Sequence, residues 1–127
     1  MVPLGIGTDI IEIDRIQKAA LRSPKFLTRI FKPDEIRFCQ SRRNPWPSFA
    51  ARFAAKEAVF KALGKVTSWQ DIEIMGGGYH AVQVRLTGVA EKIAYSMRVD
   101  SILLSVSHDR ERAVAFAAAI LKSSIKE

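Results

Sequence analysis

The spacing of hydrophobic and polar positions changes several times along this chain, and each change marks an element. Leu4 to Ile13 is apolar and β-branched with two glycines, which reads as a strand. Alternation places Gly5, Gly7 and Asp9 on one face and Leu4, Ile6, Thr8 and Ile10 on the other. Glycine inside a strand marks close approach by a ligand or another backbone. Asp9 therefore shares its face with two positions open to such an approach. A short helix is expected from Asp14 to Ala20, ended before Pro24. Another begins near Pro33, where proline with Asp34 and Glu35 suits a helix N-terminus, and Arg42 with Arg43 suits its C-terminus.

Asn44-Pro45-Trp46-Pro47 breaks the chain, and the main helix is expected from Ser48 to Leu63 with Gly64 as its terminator. Successive helical residues turn by about 100°. On that wheel Ala51, Ala54, Ala55, Ala58 and Ala62 gather on one broad side, small enough for another backbone to pack closely. Arg52, Lys56, Glu57 and Lys61 lie on the other side, interleaved with Phe49, Phe53 and Phe60. A helix that is apolar nearly all round is buried, and charges in such a place are paired or functional.

The second half is strand-rich: Asp71–Met75 and Ala81–Leu86, with a flexible turn at Gly76, Gly77 and Gly78. Gly88–Met97 reads as a helix. Ser101–Ser107 and Ala113–Leu121 read as a hairpin around Asp109 to Arg112, although the alanine-rich second arm also suits a helix. Strands and helices alternate irregularly, which favours an α+β fold. No linker, repeat or low-complexity tract divides the chain, so residues 1–127 are expected to form a single domain.

Charge narrows the partners. The chain has 127 residues, 48% of them hydrophobic, and a net charge of +7, which implies acidic partners: nucleic acid, phosphorylated cofactors, an acidic protein or a membrane surface. No apolar run reaches the roughly 18 residues of a membrane span, and the N-terminus lacks the pattern of a secretory signal. The single cysteine, Cys39, allows no internal disulfide. A cytoplasmic protein is expected.

Two carboxylates stand out against this basic background. Asp9 is the acid within an apolar strand, and Glu57 sits among cations and aromatics on the main helix. Together they suit a magnesium ion, which takes one or two carboxylates and completes its shell with phosphates and water. Arg52, Lys56 and Lys61 would then neutralise phosphate oxygens. Each residue also has a plainer reading: Asp9 capping a turn or paired with Arg15, and Glu57 paired with Lys61 four residues on. His108, by alternation on the face of Ile102, Leu104 and Val106, reads as a hydrogen-bonded core histidine, and His80 as solvated. Arg15, Lys18, Arg22, Lys25, Arg29 and Lys32 recur at steps of three or four residues, with no acid between Arg15 and Lys32. This stripe is either a solvated face or a surface for an acidic partner. A small basic nucleic-acid-binding module is the alternative function, but no recognised motif or stacking aromatics support it, and it leaves Asp9 and Glu57 unexplained.

Four blocks carry a resemblance. Residues 5–16 (GIGTDIIEIDRI), 52–64 (RFAAKEAVFKALG), 69–74 (WQDIEI) and 105–108 (SVSH) resemble bacterial holo-acyl-carrier-protein synthase, in the family's order and over essentially the whole chain. The resemblance implies a 4′-phosphopantetheinyl transferase fold, an antiparallel sheet packed on a long central helix. It also implies a magnesium-dependent enzyme that moves 4′-phosphopantetheine from coenzyme A to a serine of apo acyl carrier protein, releasing adenosine 3′,5′-bisphosphate in fatty-acid biosynthesis. On that resemblance Asp9 and Glu57 bind the metal, and Asp9, Glu57 and Lys61 carry the catalysis. Arg52, Lys56, Lys61 and His108 hold coenzyme A, and Arg15, Arg22 and Lys25 dock the carrier. A homotrimer with active sites at subunit interfaces is implied as well. Two stretches depart from the family: Tyr79-His80-Ala81 replaces a frequent proline, and the Gly76–Gly78 run is richer in glycine than usual.

Overall fold

The computed structural model describes residues 2–78 and 80–123. Strand β1 (Pro3–Glu12) passes directly into helix α1 (Ile13–Arg22), followed by α2 (Phe26–Ile30), α3 (Pro33–Gln40) and the long α4 (Trp46–Leu63). A 3-10 turn (Trp69–Asp71) leads into β2 (Ile72–Gly77), β3 (His80–Leu86), α5 (Gly88–Ser96), β4 (Val99–His108) and β5 (Arg112–Leu121). The expected α+β class is borne out.

Two antiparallel sheets form, one ordered β1-β5-β4 and the other a β2-β3 hairpin. The alanine-rich arm is strand β5, not helix. Its alanines alternate: Ala113, Ala115, Ala117 and Ala119 are buried, while Val114 and Phe116 are exposed. That is the period of a strand, and β5 takes the central place between β1 and β4. Tyr79, in one of the two divergent stretches, lies outside the described residues.

Helix α4 lies across the buried face of this sheet, touching both β1 and β5. Small residues make the contact possible. A Cβ on Gly7 would overlap the Ala58 carbonyl oxygen and come within 2.8 Å of Lys61 Cβ; one on Gly5 would overlap the Ala62 carbonyl oxygen. The glycine face of β1 thus meets a helix backbone. Gly64 ends α4 in the left-handed region at φ 77°, as its position after the apolar run predicts. The far side of α4 is sealed by aromatics, with Phe53 stacked on Trp69 at 4.9 Å between ring centres and Phe31 against Phe49 at 5.2 Å.

The described residues leave the opposite face of the sheet uncovered. Ile6, Ile10, Leu103, Val114 and Phe116 are all exposed there. Registers Ile10↔Val114 and Thr8↔Phe116 on one side, and Leu103↔Ala118 on the other, make these side chains one continuous apolar surface.

Candidate active site

The four charges of α4 separate into two groups. Residues four apart share a helix face, and residues one apart do not. Glu57 and Lys61 therefore point one way, and Arg52 and Lys56 point about 100° away.

Glu57 and Lys61 meet Asp9. Asp9 occupies the glycine face of β1, one step beyond the Gly7–Ala58 contact, where the strand passes closest to the helix. Lys61 Nζ donates to the Thr8 carbonyl at 2.8 Å and approaches Asp9 Oδ1 at 3.4 Å. The Asp9 side chain is largely covered, at 17% exposure, whereas that of Lys61 is 54% exposed and opens to solvent. Burial raises the Glu57 carboxyl above its ordinary value, and the negative charge of Asp9 adds to this while Lys61 opposes it. Two carboxylates thus share one partial counter-charge. The excess negative charge, on hard oxygen donors, suits a divalent cation such as magnesium. Among the described residues no group of three or more His, Cys, Asp or Glu side chains forms a metal cage.

Lys56 is elsewhere. Its ammonium is fully buried and donates to the Ile30 carbonyl at 2.8 Å, to Glu35 Oε1 at 2.9 Å and to the Trp69 carbonyl at 3.1 Å. All of its protons are committed inside the protein, so the phosphate-binding role expected for it does not fit this geometry. The reason lies in the helical repeat, which turns position 56 toward α2, α3 and the 3-10 turn while position 57 faces β1. Burial pulls the Lys56 ammonium below its usual range, with Glu35 partly offsetting it.

Arg52 is also buried, but unlike Lys56 it has spare capacity. One guanidinium nitrogen donates to the Gly76 carbonyl at 2.7 Å, the group lies 4.1 Å from the centre of the Phe38 ring, and among the described residues Nε has no hydrogen-bond partner. It borders a cavity of about 300 Å³ lined by Phe38, Met75, Gly76, Gly77, His80 and Arg85, among others. Gly77, at φ 104°, lies against Phe38, where a side chain would collide with the ring.

His108 is exposed at the end of β4, not buried as alternation suggests, and its Nδ1 lies 3.2 Å from the Asp109 carbonyl. It sits opposite Ala113, two rows beyond the row of Asp9, Ala115 and Val106. Strand spacing puts it roughly 12 Å from Asp9 across the sheet. Within one chain His108 does not join the carboxylates.

Arg15, Arg22 and Lys25 are exposed on α1 and at the start of α2. The stripe of six cations is not uniform, however. Lys18 is paired with Asp14 at 2.8 Å, and Lys32 is drawn to Glu73 at 3.7 Å. Sequence reasoning missed the partners of the buried cations. Glu35 was legible only as a helix-start residue, a role it does fill by accepting the Lys32 N–H at 2.9 Å; nothing local links it to a lysine 21 positions away.

Comparison with known proteins agrees with this architecture. Residues 5–117 match the 4′-phosphopantetheinyl transferase superfamily. The chain is 49% identical over 121 residues to a holo-[acyl-carrier-protein] synthase of Chlamydia caviae, covering 91% of this chain and 96% of that one. It is 44% identical over 127 residues to the one of Moorella thermoacetica, covering 98% of each. Among solved structures, holo-ACP-synthase from Plasmodium yoelii superposes with a TM-score of 0.84 at 33% identity, covering 96% of this chain and 98% of that one. The Helicobacter pylori synthase in complex with coenzyme A superposes with a TM-score of 0.78 at 34% identity, covering 90% and 98%. With a carboxylate pair and a lysine gathered where β1 crosses α4, this chain belongs to the 4′-phosphopantetheinyl transferase superfamily, within its holo-acyl-carrier-protein synthases.

Proposed function

We propose that residues 1–127 act as one domain that transfers 4′-phosphopantetheine from coenzyme A to a serine of apo acyl carrier protein, with Asp9, Glu57 and Lys61 at the reacting centre. The observation that carries this reading is their convergence at the β1–α4 crossing, with Lys61 on Asp9 and Glu57 raised by burial and by Asp9. The transfer requires a serine oxygen to attack the β-phosphorus of a pyrophosphate that already bears negative charge. The serine belongs to the carrier, so this chain needs no nucleophile.

Lys61 has a half-exposed ammonium, and it can turn a proton toward a phosphate oxygen and stabilise the developing charge. Asp9 and Glu57 would hold magnesium, which when bound polarises the phosphoryl oxygens. Arg52, which lines the cavity, would turn its guanidinium to a phosphate of coenzyme A. Arg15, Arg22 and Lys25 offer exposed positive charge to an acidic carrier.

The uncovered apolar face of the sheet supports a homotrimer, since a continuous surface of this kind marks an association site. A trimer with shared sites would let His108 of one chain approach the carboxylates of another. A cytoplasmic role in fatty-acid biosynthesis accords with this, and no described helix is long and apolar enough to cross a membrane.

The test is intact-protein mass spectrometry of apo acyl carrier protein incubated with the enzyme, coenzyme A and magnesium. A gain of one phosphopantetheine, abolished by EDTA, is expected. Asp9→Ala and Glu57→Ala should each remove turnover by at least about a hundredfold while keeping a cooperative melt. Transfer that survives EDTA and both substitutions would refute the assignment of the centre.

A further inference from the structure

Lys56 and Glu35 form an ion pair removed from solvent, with side-chain exposures of 0% and 1%. Charges so placed cost free energy unless every remaining group is satisfied, and here they are. Glu35 Oε1 accepts from Lys56 and from the Lys32 N–H, and Oε2 accepts from the Ile74 N–H at 3.0 Å. The three acceptors of Lys56 come from the end of α2, the first turn of α3 and the 3-10 turn before β2. One ammonium thus ties α4 to three separate segments, and Glu35 adds β2.

What such a node does for the site follows from the other face of α4. There the helix rests on Gly5 and Gly7 of β1 and on the alanines of β5. Ridges and grooves between packed elements set their relative position, and a surface of glycine and alanine has almost no ridges. It lets the helix come close without fixing its height or rotation. Hydrogen bonds are directional, so those of Lys56, with the Arg52 bond to Gly76 one turn earlier, supply the missing index. Position 56 is next to Glu57 and just over one turn before Lys61.

We propose that Lys56 and Glu35 are a positioning pair that sets the height and rotation of α4, and through it the reach of Glu57 and Lys61 toward Asp9. The inference rests on the reading of those three residues as the reacting centre. Lys56 is then no phosphate ligand, although its place in the sequence invites that role.

The experiment compares wild type, Lys56→Met, Glu35→Gln, the double variant and Glu57→Ala. Carrier priming is followed with coenzyme A and carrier varied separately, at a temperature where circular dichroism shows each protein folded. Lys56→Met strands a carboxylate and Glu35→Gln strands an ammonium. The double variant is neutral, and its amide can still accept from Ile74 and donate to a carbonyl. A shift of about 1 Å in a reacting group costs on the order of a hundredfold. Each single variant is therefore expected to lose kcat by tenfold or more, with KM for coenzyme A changed less than about threefold, and the double variant should recover part of the loss.

Should Lys56→Met prove too unstable, Glu35→Gln and the double variant carry the test. A tenfold rise in KM for coenzyme A in Lys56→Met and the double variant, but not in Glu35→Gln, would make Lys56 a phosphate contact and overturn the proposal. A lowered Tm with unchanged kcat in Glu35→Gln would reduce the pair to a stabilising one and overturn it too. Full activity in Glu57→Ala would instead strike the reading of the centre, and the positioning role would fall with it.

Discussion

Gly7→Ala is the most incisive single substitution, because it alters the contact on which the site is built without touching a charged group. The added Cβ would overlap the Ala58 carbonyl oxygen and stand 2.8 Å from Lys61 Cβ and 2.9 Å from the Ala58 carbonyl carbon. Non-bonded carbons settle at about 3.5–4.0 Å, so strand and helix must part by roughly 1 Å. Both neighbours are backbone or the root of a side chain, and neither can rotate away. β1 is an edge strand and can yield, which places the cost in the range of overpacked cores, about 1–3 kcal/mol. For a chain of this length that is a fall in Tm of roughly 4–11 °C.

The larger effect should fall on turnover. Asp9 is two residues from Gly7 on the same face, and Lys61 is one of the atoms displaced, so a separation of about 1 Å opens the Asp9–Lys61–Glu57 geometry and should lower kcat on the order of a hundredfold. Gly64→Ala is the control. That site is open, with nothing within 4 Å, but its φ is 77°. It should cost about 1 kcal/mol of backbone strain and leave kcat within about twofold. Priming is measured by mass spectrometry at 25 °C, with thermal melts by circular dichroism in parallel. A Gly7→Ala protein with wild-type Tm and wild-type kcat would refute the close contact and the site geometry derived from it.

Other perturbations separate the remaining surfaces. Arg15→Glu should raise KM for the carrier by tenfold or more while leaving that for coenzyme A within about twofold, in steady-state assays varying each substrate; equal effects would remove Arg15 from the docking surface. Phe116→Glu places a charge in the centre of the uncovered apolar face and, if the proposed trimer forms through that face, should shift light-scattering mass from trimer to monomer; an unchanged mass would locate any interface elsewhere. Arg85→Ala bears on pH. Burial acts to raise the Glu73 carboxyl, but hydrogen bonding and charge from Arg85, then Lys32, outweigh it and hold Glu73 below its usual range. A depressed folded value means that the stabilisation is present above the unfolded glutamate value of about 4.3 and is lost as pH falls through the lower folded one. The substitution should therefore lower Tm by a few degrees at pH 7 and by less as pH falls below the ordinary glutamate range; an equal loss throughout would show that the pair contributes no pH-dependent stability.

Local pattern determined a good deal here. Period-two alternation in β1 put Gly5, Gly7 and Asp9 on one face, and the structure keeps them there. The apolar run with Gly64 after it predicted the long helix and its left-handed end, and the i,i+4 spacing of Glu57 and Lys61 made them neighbours on any helix. The resemblance carried by the same segments led to the family. What local pattern cannot convey is which distant segment faces a given side chain. The four charges of α4 read as one group until α2, α3 and the 3-10 turn closed over one side and β1 over the other, dividing Arg52 and Lys56 from Glu57 and Lys61. The glycines announced a close approach; only the tertiary structure decided that the approaching group is a helix backbone. His108 kept its place in the alternation yet emerged into solvent, because α4 packs mainly on β1 and β5 and leaves the edge strand β4 less covered. Alternation is a property of neighbouring residues, while burial and pairing depend on chain segments tens of positions away.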